Sequence, residues 1–157
     1  MRRAARRAVT AAATVIFMGT AAAAAPAAPA QSAAADATSG PFHVTFRATR
    51  AAGAPPTAAH GTFDAFTTAG PFALMSVHGP VTCLDVRGNH VGLFYPIRSG
   101  SPSLLARLGA GVLLSMTVDG HGHATAVQFV PLPVRSVSSC APQATPLPAT
   151  GSATLSS

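Results

Sequence analysis

The sequence predicts an all-β protein, an antiparallel meander of about six to eight strands forming a small barrel or a two-sheet sandwich, with one short helix near 101–109. Apolar and polar residues alternate with a period of two over 42–49 and again over 112–119, as in strands with one buried face. Glycine, proline and asparagine interrupt the alternation at short intervals, which is typical of antiparallel strands joined by turns. This pattern leaves barrel and sandwich both open.

The alternation and its breaks define the elements in order. The predicted strands are residues 42–49, 59–67, 72–78, 81–86, 91–97, 112–118, 125–130 and 149–155. Gly88-Asn89 forms a two-residue hairpin turn between two of them, because these residues adopt positive φ at little cost. The Pro-rich stretch 131–146 cannot pair continuously, since proline donates no hydrogen bond to a ladder.

The one predicted helix lies between two end signals. Ser101 is a suitable N-cap and Pro102 fits the first helical position, while Gly109 suits the C-terminal cap. These residues predict a helix near 101–109.

Residues 1–30 are predicted to be an export signal. Four arginines precede an apolar run at 8–18, and small residues with Ala-x-Ala spacing follow over 22–35. The run of about eleven residues is too short to span a membrane, which takes about twenty, so no stable insertion is expected after cleavage. We predict cleavage after Ala30, which yields a secreted, extracellular protein. The general secretory route is favoured, although the Arg6-Arg7 pair partly fits the twin-arginine route.

The mature chain is predicted to have a leader and one domain. Residues 31–40 are small and polar and predict a disordered leader, and residues 41–157 are assigned to a single β domain. Because the signal contains four of the ten arginines, the mature chain retains six basic residues against four aspartates. This balance, without clustered arginines, argues against a nucleic-acid partner. We expect a monomer, and no sequence motif indicates a cofactor.

Several segments together resemble a known group of proteins. They are "GPVTCLDVRGNHVGLFYPI" at 79–97, "GAGVLLSMTVDG" at 109–120, "AVQFV" at 126–130, a late cysteine and a closing "LPATGSATLSS". This pattern, over about residues 60–157, resembles small uncharacterised exported β-proteins of high-GC Gram-positive (actinobacterial) bacteria. The resemblance implies a secreted β-protein with paired cysteines and implies no activity. The sequence departs from the group in "DGHGH" at 119–123 and in a longer "SPSLLARL".

The two cysteines are predicted to form a disulfide. A nucleophilic Cys83 would need a base oriented by a third group, and no signature of a cysteine enzyme surrounds it. An exported chain meets an oxidising compartment, and Cys140 is available as a partner. If Leu84 and Val86 face the core, the bridge would hold the stretch 131–146 over the outer side of the sheet.

Two short motifs have ordinary structural explanations. Asp119, His121 and His123 are the candidate metal ligands, but Asp-Gly and Gly residues are common in turns, so we assign no metal site. Residues 147–151 spell LPATG, a sortase sorting motif. Because only Ser152–Ser157 follow it, without the hydrophobic segment that sorting needs, we interpret it as the start of the last strand.

Three functions remain open from the sequence. The first is a secreted or envelope-associated, non-enzymatic β-domain with a binding or structural role. The alternative is a small apolar-ligand carrier with a barrel cavity, whose candidate lining is Phe42, Phe46, Leu93 and Met116. A hydrolase is less favoured, because the chain has no glutamate and no Gly-x-Ser-x-Gly motif, and no catalytic residues are assigned. A filled core, a cavity or a convergent Ser–His–Asp group would distinguish the three.

Overall fold

The computed structural model describes residues 28–67, 75–101 and 109–157. The predicted signal peptide and the predicted helix fall largely on residues 1–27 and 102–108, outside the described residues. The strands are β1 Gln31–Ser39, β2 Phe42–Arg50, β3 His60–Thr67, β4 Ser76–Pro80, β5 Cys83–Arg87, β6 His90–Pro96, β7 Ser99–Ser101, β8 Gly111–Val118, β9 Ala124–Leu132, β10 Leu147–Pro148 and β11 Thr150–Ser156. A 3₁₀ turn at Pro56–Ala58 precedes β3.

The strands form two antiparallel sheets packed face to face. The first sheet has the order β11-β1-β2-β3-β4-β7 and the second the order β10-β9-β8-β6-β5. The predicted all-β class is therefore confirmed, and the sandwich rather than the closed barrel is the architecture observed. The described residues contain eleven strands instead of six to eight, because β1 and the short strands β7 and β10 carry too little apolar alternation to be predicted.

The core lies between the sheets and follows from the period-two alternation. In the second sheet, Leu84, Leu93, Leu114 and Phe129 are register partners in one row across four strands. Their side chains join one apolar cluster with inward residues of the first sheet, among them Phe63. The predicted hairpin is also present, with Gly88 at φ +59° between β5 and β6.

The second sheet is covered on its outer face as well. Cys83, Phe94 and Leu113 form the next register row, and with Cys140 they make a second buried cluster. Cys140 belongs to residues 133–146, which we call the cover segment. The structure decides the facing that the sequence leaves open, since Leu84 and Val86 lie in the core between the sheets while the disulfide holds the cover segment outside.

The cover segment runs along β8. Its Gln143 amide donates to Ser115 Oγ at 2.9 Å, and the hydroxyls of Thr145 and Thr117 are 2.8 Å apart. A Cβ on Gly92 would lie 2.0 Å from the Cys140 carbonyl oxygen, so only glycine allows the segment to pass this close to β6. The segment is thus attached to β8 through side-chain hydroxyls and not through a continuous ladder.

The predicted disordered leader is wrong. Residues Gln31–Ser39 form β1, which is paired on one side with β2 and on the other with β11. Its alternate residues Ala33, Ala35 and Ala37 are buried in the core. The Gln31 side-chain amide also makes two 2.9 Å hydrogen bonds to the Val86 backbone, and so pairs with the edge strand of the other sheet. The segment is ordered by pairing with β2 and β11, and the small residues of 31–40 give no sign of this pairing in the sequence.

Candidate functional site: an apolar pocket at one end of the sandwich

One end of the sandwich contains an apolar pocket of about 410 Å³. It forms where β2 and β8 begin and where β3, β6 and β9 end, so that residues distant in sequence meet there. Its volume is within the range of about 300–1,000 Å³ that is usual for small-molecule sites. The described lining residues are Phe42, Ala65, Phe66, Thr67, Met75, Val77, Tyr95, Ile97, Ala110, Gly111, Val112, Phe129, Pro131 and Leu147.

Two aromatic rings join the sheets beside the pocket. Phe42 on β2 and Phe129 on β9 lie 5.7 Å apart between ring centroids, one from each sheet. At the pocket, Leu147 is 45% exposed, although large apolar residues elsewhere in the described chain are mostly buried. Phe66 is equally exposed, but its ring stacks on His43 on the outer face of the sheet. Because residues that line the pocket also reach the solvent, the apolar lining is continuous with the surface.

Tyr95 is one of the two buried residues of the described pocket wall that carry a hydroxyl, the other being Thr67. Tyr95 is 2% exposed, and its ring stacks on Phe63 with 3.5 Å between the centroids. Burial raises the pKa of the Tyr95 phenol well above its usual value, so the hydroxyl stays protonated at ordinary pH. No hydrogen bond to this hydroxyl is found within the described residues, whereas the Thr67 hydroxyl accepts one from the Met75 amide at 3.2 Å.

The predicted cavity lining is only partly correct. Phe42 lines the pocket, as expected. Phe46, Leu93 and Met116 instead lie in the packed core between the sheets, with almost no exposed surface. These three residues lie at the middle of their strands, where the two sheets interdigitate, whereas the pocket forms at the strand ends. The alternation shows which face a residue occupies but not how far along the sandwich the packing extends.

The turn residues Asp119, His121 and His123 are held by local hydrogen bonds. Asp119 Oδ1 accepts the backbone amides of His121 and His123, each at 2.8 Å, and Asp119 Oδ2 lies 3.1 Å from His123 Nδ1. The His123 backbone hydrogen bond is the largest cause that lowers the pKa of Asp119 to about 2. Across 28–67, 75–101 and 109–157, no group of three or more potential ligands is placed to hold a metal ion.

An aspartate, a histidine and a serine lie in one row on the outer face of the first sheet. Asp64 Oδ1 lies 2.5 Å from His78 Nδ1, and Ser99 on β7 is the register partner of His78. The side chains of His78 and Asp64 are about half exposed. Within the described residues, no hydrogen bond joins Ser99 to His78. The row therefore has the residue types of a Ser–His–Asp group without the nucleophile–base contact.

The remaining sequence motifs are structural. Cys83 and Cys140 form the predicted disulfide, and both are fully buried. In the LPATG motif, Leu147-Pro148 pairs with β9, while Thr150 and Gly151 pair with β1. A Cβ on Gly151 would lie 2.2 Å from the Asp36 carbonyl oxygen, so the glycine serves close strand packing. The motif is thus part of both sheets.

Comparisons with known proteins add no assignment. No protein-family model, no curated protein and no solved structure gives a significant match to this chain. Among the described residues, no helix has the length and apolar character needed to cross a membrane.

Proposed function

We propose that this protein is an exported, non-enzymatic binding domain that holds a small apolar molecule in the pocket at the end of the sandwich. The observation that carries the proposal is the composition of the wall, since the described lining contains no charged side chain and is formed mainly by aliphatic and aromatic groups. Transfer of apolar surface from water into such a pocket is favourable by about 25 cal/mol per Å². The resemblance to small exported β-proteins agrees with export.

The surrounding fold supports binding at this position. The core beside the pocket is packed and the cover segment is tied down by the disulfide, so the wall is built on ordered strands from both sheets. A site that is formed before binding loses less conformational freedom when the ligand enters. The exposed Leu147 provides apolar surface on the route from solvent.

The outer-face row gives less support to a hydrolase. Catalysis by a serine needs the hydroxyl within hydrogen-bond reach of its base, and the described contacts of Ser99 lack this bond. We therefore expect Ser99→Ala to leave any hydrolysis of p-nitrophenyl acetate unchanged. A large loss of hydrolysis in this variant would favour the enzyme instead.

The proposed function is tested with N-phenyl-1-naphthylamine, a neutral apolar dye whose fluorescence rises in apolar sites. The wild-type protein should bind the dye saturably. Ala65 is buried and lines the pocket, so Ala65→Phe should place a ring in the binding space. Because the ring occupies space that the dye would fill, binding should weaken at least tenfold, which corresponds to about 1.4 kcal/mol.

Thr62→Phe is the matched control. Thr62 lies on the same strand, but it is exposed and faces the opposite side of the sheet. This variant adds the same ring outside the pocket, so it should bind the dye as the wild type does. Absence of saturable dye binding by the wild type, or equal weakening by both variants, would contradict the proposed pocket.

A further inference from the structure

The Tyr95 hydroxyl is not explained by the packing of the fold. The ring fills the core and stacks on Phe63, which a phenylalanine at this position would do equally well. The hydroxyl adds a polar atom at a position that is 2% exposed. A hydroxyl that loses most of its hydration without gaining a partner is unfavourable, and native structures contain few such groups. The Tyr95 hydroxyl is not fully enclosed, since Arg50 Nε is the one completely buried side-chain polar atom without a partner among the described residues.

Tyr95 and Thr67 are the two polar side chains of the described pocket wall, and they differ in whether the hydroxyl has a hydrogen-bond partner. The Thr67 hydroxyl is engaged with the backbone of Met75. The Tyr95 hydroxyl lacks any hydrogen-bond partner in the described part of the chain, although Tyr95 contributes to the wall. Because Tyr95 lines the pocket, a ligand bound there would be a source of a partner for this hydroxyl.

We infer that the Tyr95 hydroxyl donates a hydrogen bond to an oxygen of the bound molecule, and that the ligand is a neutral, largely apolar compound with one such oxygen, as in a ketone or an ester. This inference rests on the proposed function. The Thr67 hydroxyl is engaged with Met75 and, apart from Tyr95, the other side chains of the described wall are apolar, so a second polar group inside the pocket would lose its hydration without compensation. A buried carboxylate is disfavoured for the same reason, because no arginine or histidine lies among the described lining residues.

The inference is tested with a pair of compounds that differ at one position. Butyrophenone and butylbenzene have the same carbon skeleton, and the ketone has a carbonyl where the hydrocarbon has a methylene. Each is titrated into wild-type protein and into Tyr95→Phe, and the dissociation constant is obtained from amide chemical shifts. Tyr95→Phe retains the ring that stacks on Phe63 and removes only the hydroxyl.

We expect Tyr95→Phe to weaken butyrophenone binding by about three- to tenfold, the usual effect of one hydrogen bond between neutral groups. Butylbenzene should bind both proteins with equal affinity. Because Tyr95 is the single tyrosine of the chain, a ¹³Cζ-labelled tyrosine gives one signal, which should shift with butyrophenone and much less with butylbenzene.

The outcomes separate this inference from the proposed function. Binding of both compounds with no change in Tyr95→Phe would overturn the hydrogen bond and leave the apolar pocket in place. Failure of the wild type to bind either compound would overturn both. The free Tyr95→Phe protein should melt at the same temperature as the wild type or a few degrees higher, because it removes a polar atom without a hydrogen-bond partner from a position that is 2% exposed. A marked decrease would show that the hydroxyl serves the fold instead.

Discussion

Removal of the disulfide should destabilise the protein strongly and release the cover segment. In the variant Cys83→Ala/Cys140→Ala, both replaced side chains lie in a fully buried apolar cluster, so alanine introduces no polar group there. The bridge closes a loop with a sequence separation of 57. The chain-entropy relation for a loop of this length gives a loss of about 4 kcal/mol. At about 3–5 °C per kcal/mol for a domain of this size, the melting temperature should fall by on the order of 15 °C.

Two assays measure the loss of stability and the release of the cover segment. Thermal melting by circular dichroism measures the stability. Limited proteolysis with trypsin, analysed by mass spectrometry, measures the release, because Arg135 lies in the cover segment. Cleavage after Arg135 should become rapid in the variant at temperatures where the sheets remain folded, since the segment has little ladder pairing to hold it.

Val127→Ala is the control for general destabilisation. Val127 is fully buried between the sheets and is not part of the cluster under the cover segment. It should lower the melting temperature without accelerating cleavage after Arg135 under native conditions. A Cys83→Ala/Cys140→Ala variant that melts within about 2 °C of the wild type and keeps Arg135 protected would refute the assigned role of the bridge.

Two further predictions concern β1 and Tyr95. Deletion of Gln31–Ser39 should abolish the cooperative melting transition, because β1 is hydrogen-bonded to strands on both sides; a folded protein lacking these residues would contradict this. The folded-state pKa of Tyr95 is raised above its unfolded value near 10, so its contribution to stability is complete below about pH 10 and is lost as the pH rises further, by up to about 1.4 kcal/mol per unit. Absorbance at 295 nm should therefore show tyrosinate only as the protein unfolds, and titration near pH 10 in the folded state would be inconsistent with a buried phenol.

Local patterns predicted most of the sheet structure. The alternation over 42–49 corresponds to β2, and the Gly88-Asn89 turn joins β5 to β6 as expected. The two cysteines also pair as predicted. The strand and the turn are each signalled by a few neighbouring residues, and the disulfide follows from the oxidising compartment that an exported protein enters.

The alanine-rich strand β1 shows why one element was missed. Its inward residues Ala33, Ala35 and Ala37 do alternate with the outward ones, but alanine has a low β-propensity and little apolar surface. The strand exists because β2 and β11 lie on either side of it. The partner β11 is more than a hundred residues away in sequence, and local reasoning does not include such pairing.

The position of the pocket could not be predicted from the sequence either, because it also depends on contacts between distant strands. The alternation of Val91, Leu93 and Tyr95 correctly indicates one shared face of β6, and all three are buried, as is Ile97 just after the strand. It does not indicate that Leu93 is packed against the opposite sheet while Tyr95 reaches the pocket. That difference depends on where strands from both sheets end relative to one another.

The central claim, that the pocket binds an apolar molecule, is tested most directly by crystallography with 4′-bromobutyrophenone, because the bromine gives an anomalous signal that marks the ligand. The account predicts one site in the pocket beside Phe42 and Phe129, with the carbonyl oxygen about 3 Å from the Tyr95 hydroxyl. Ligand density at another surface with none in the pocket, or a pocket filled by the protein's own side chains, would contradict it.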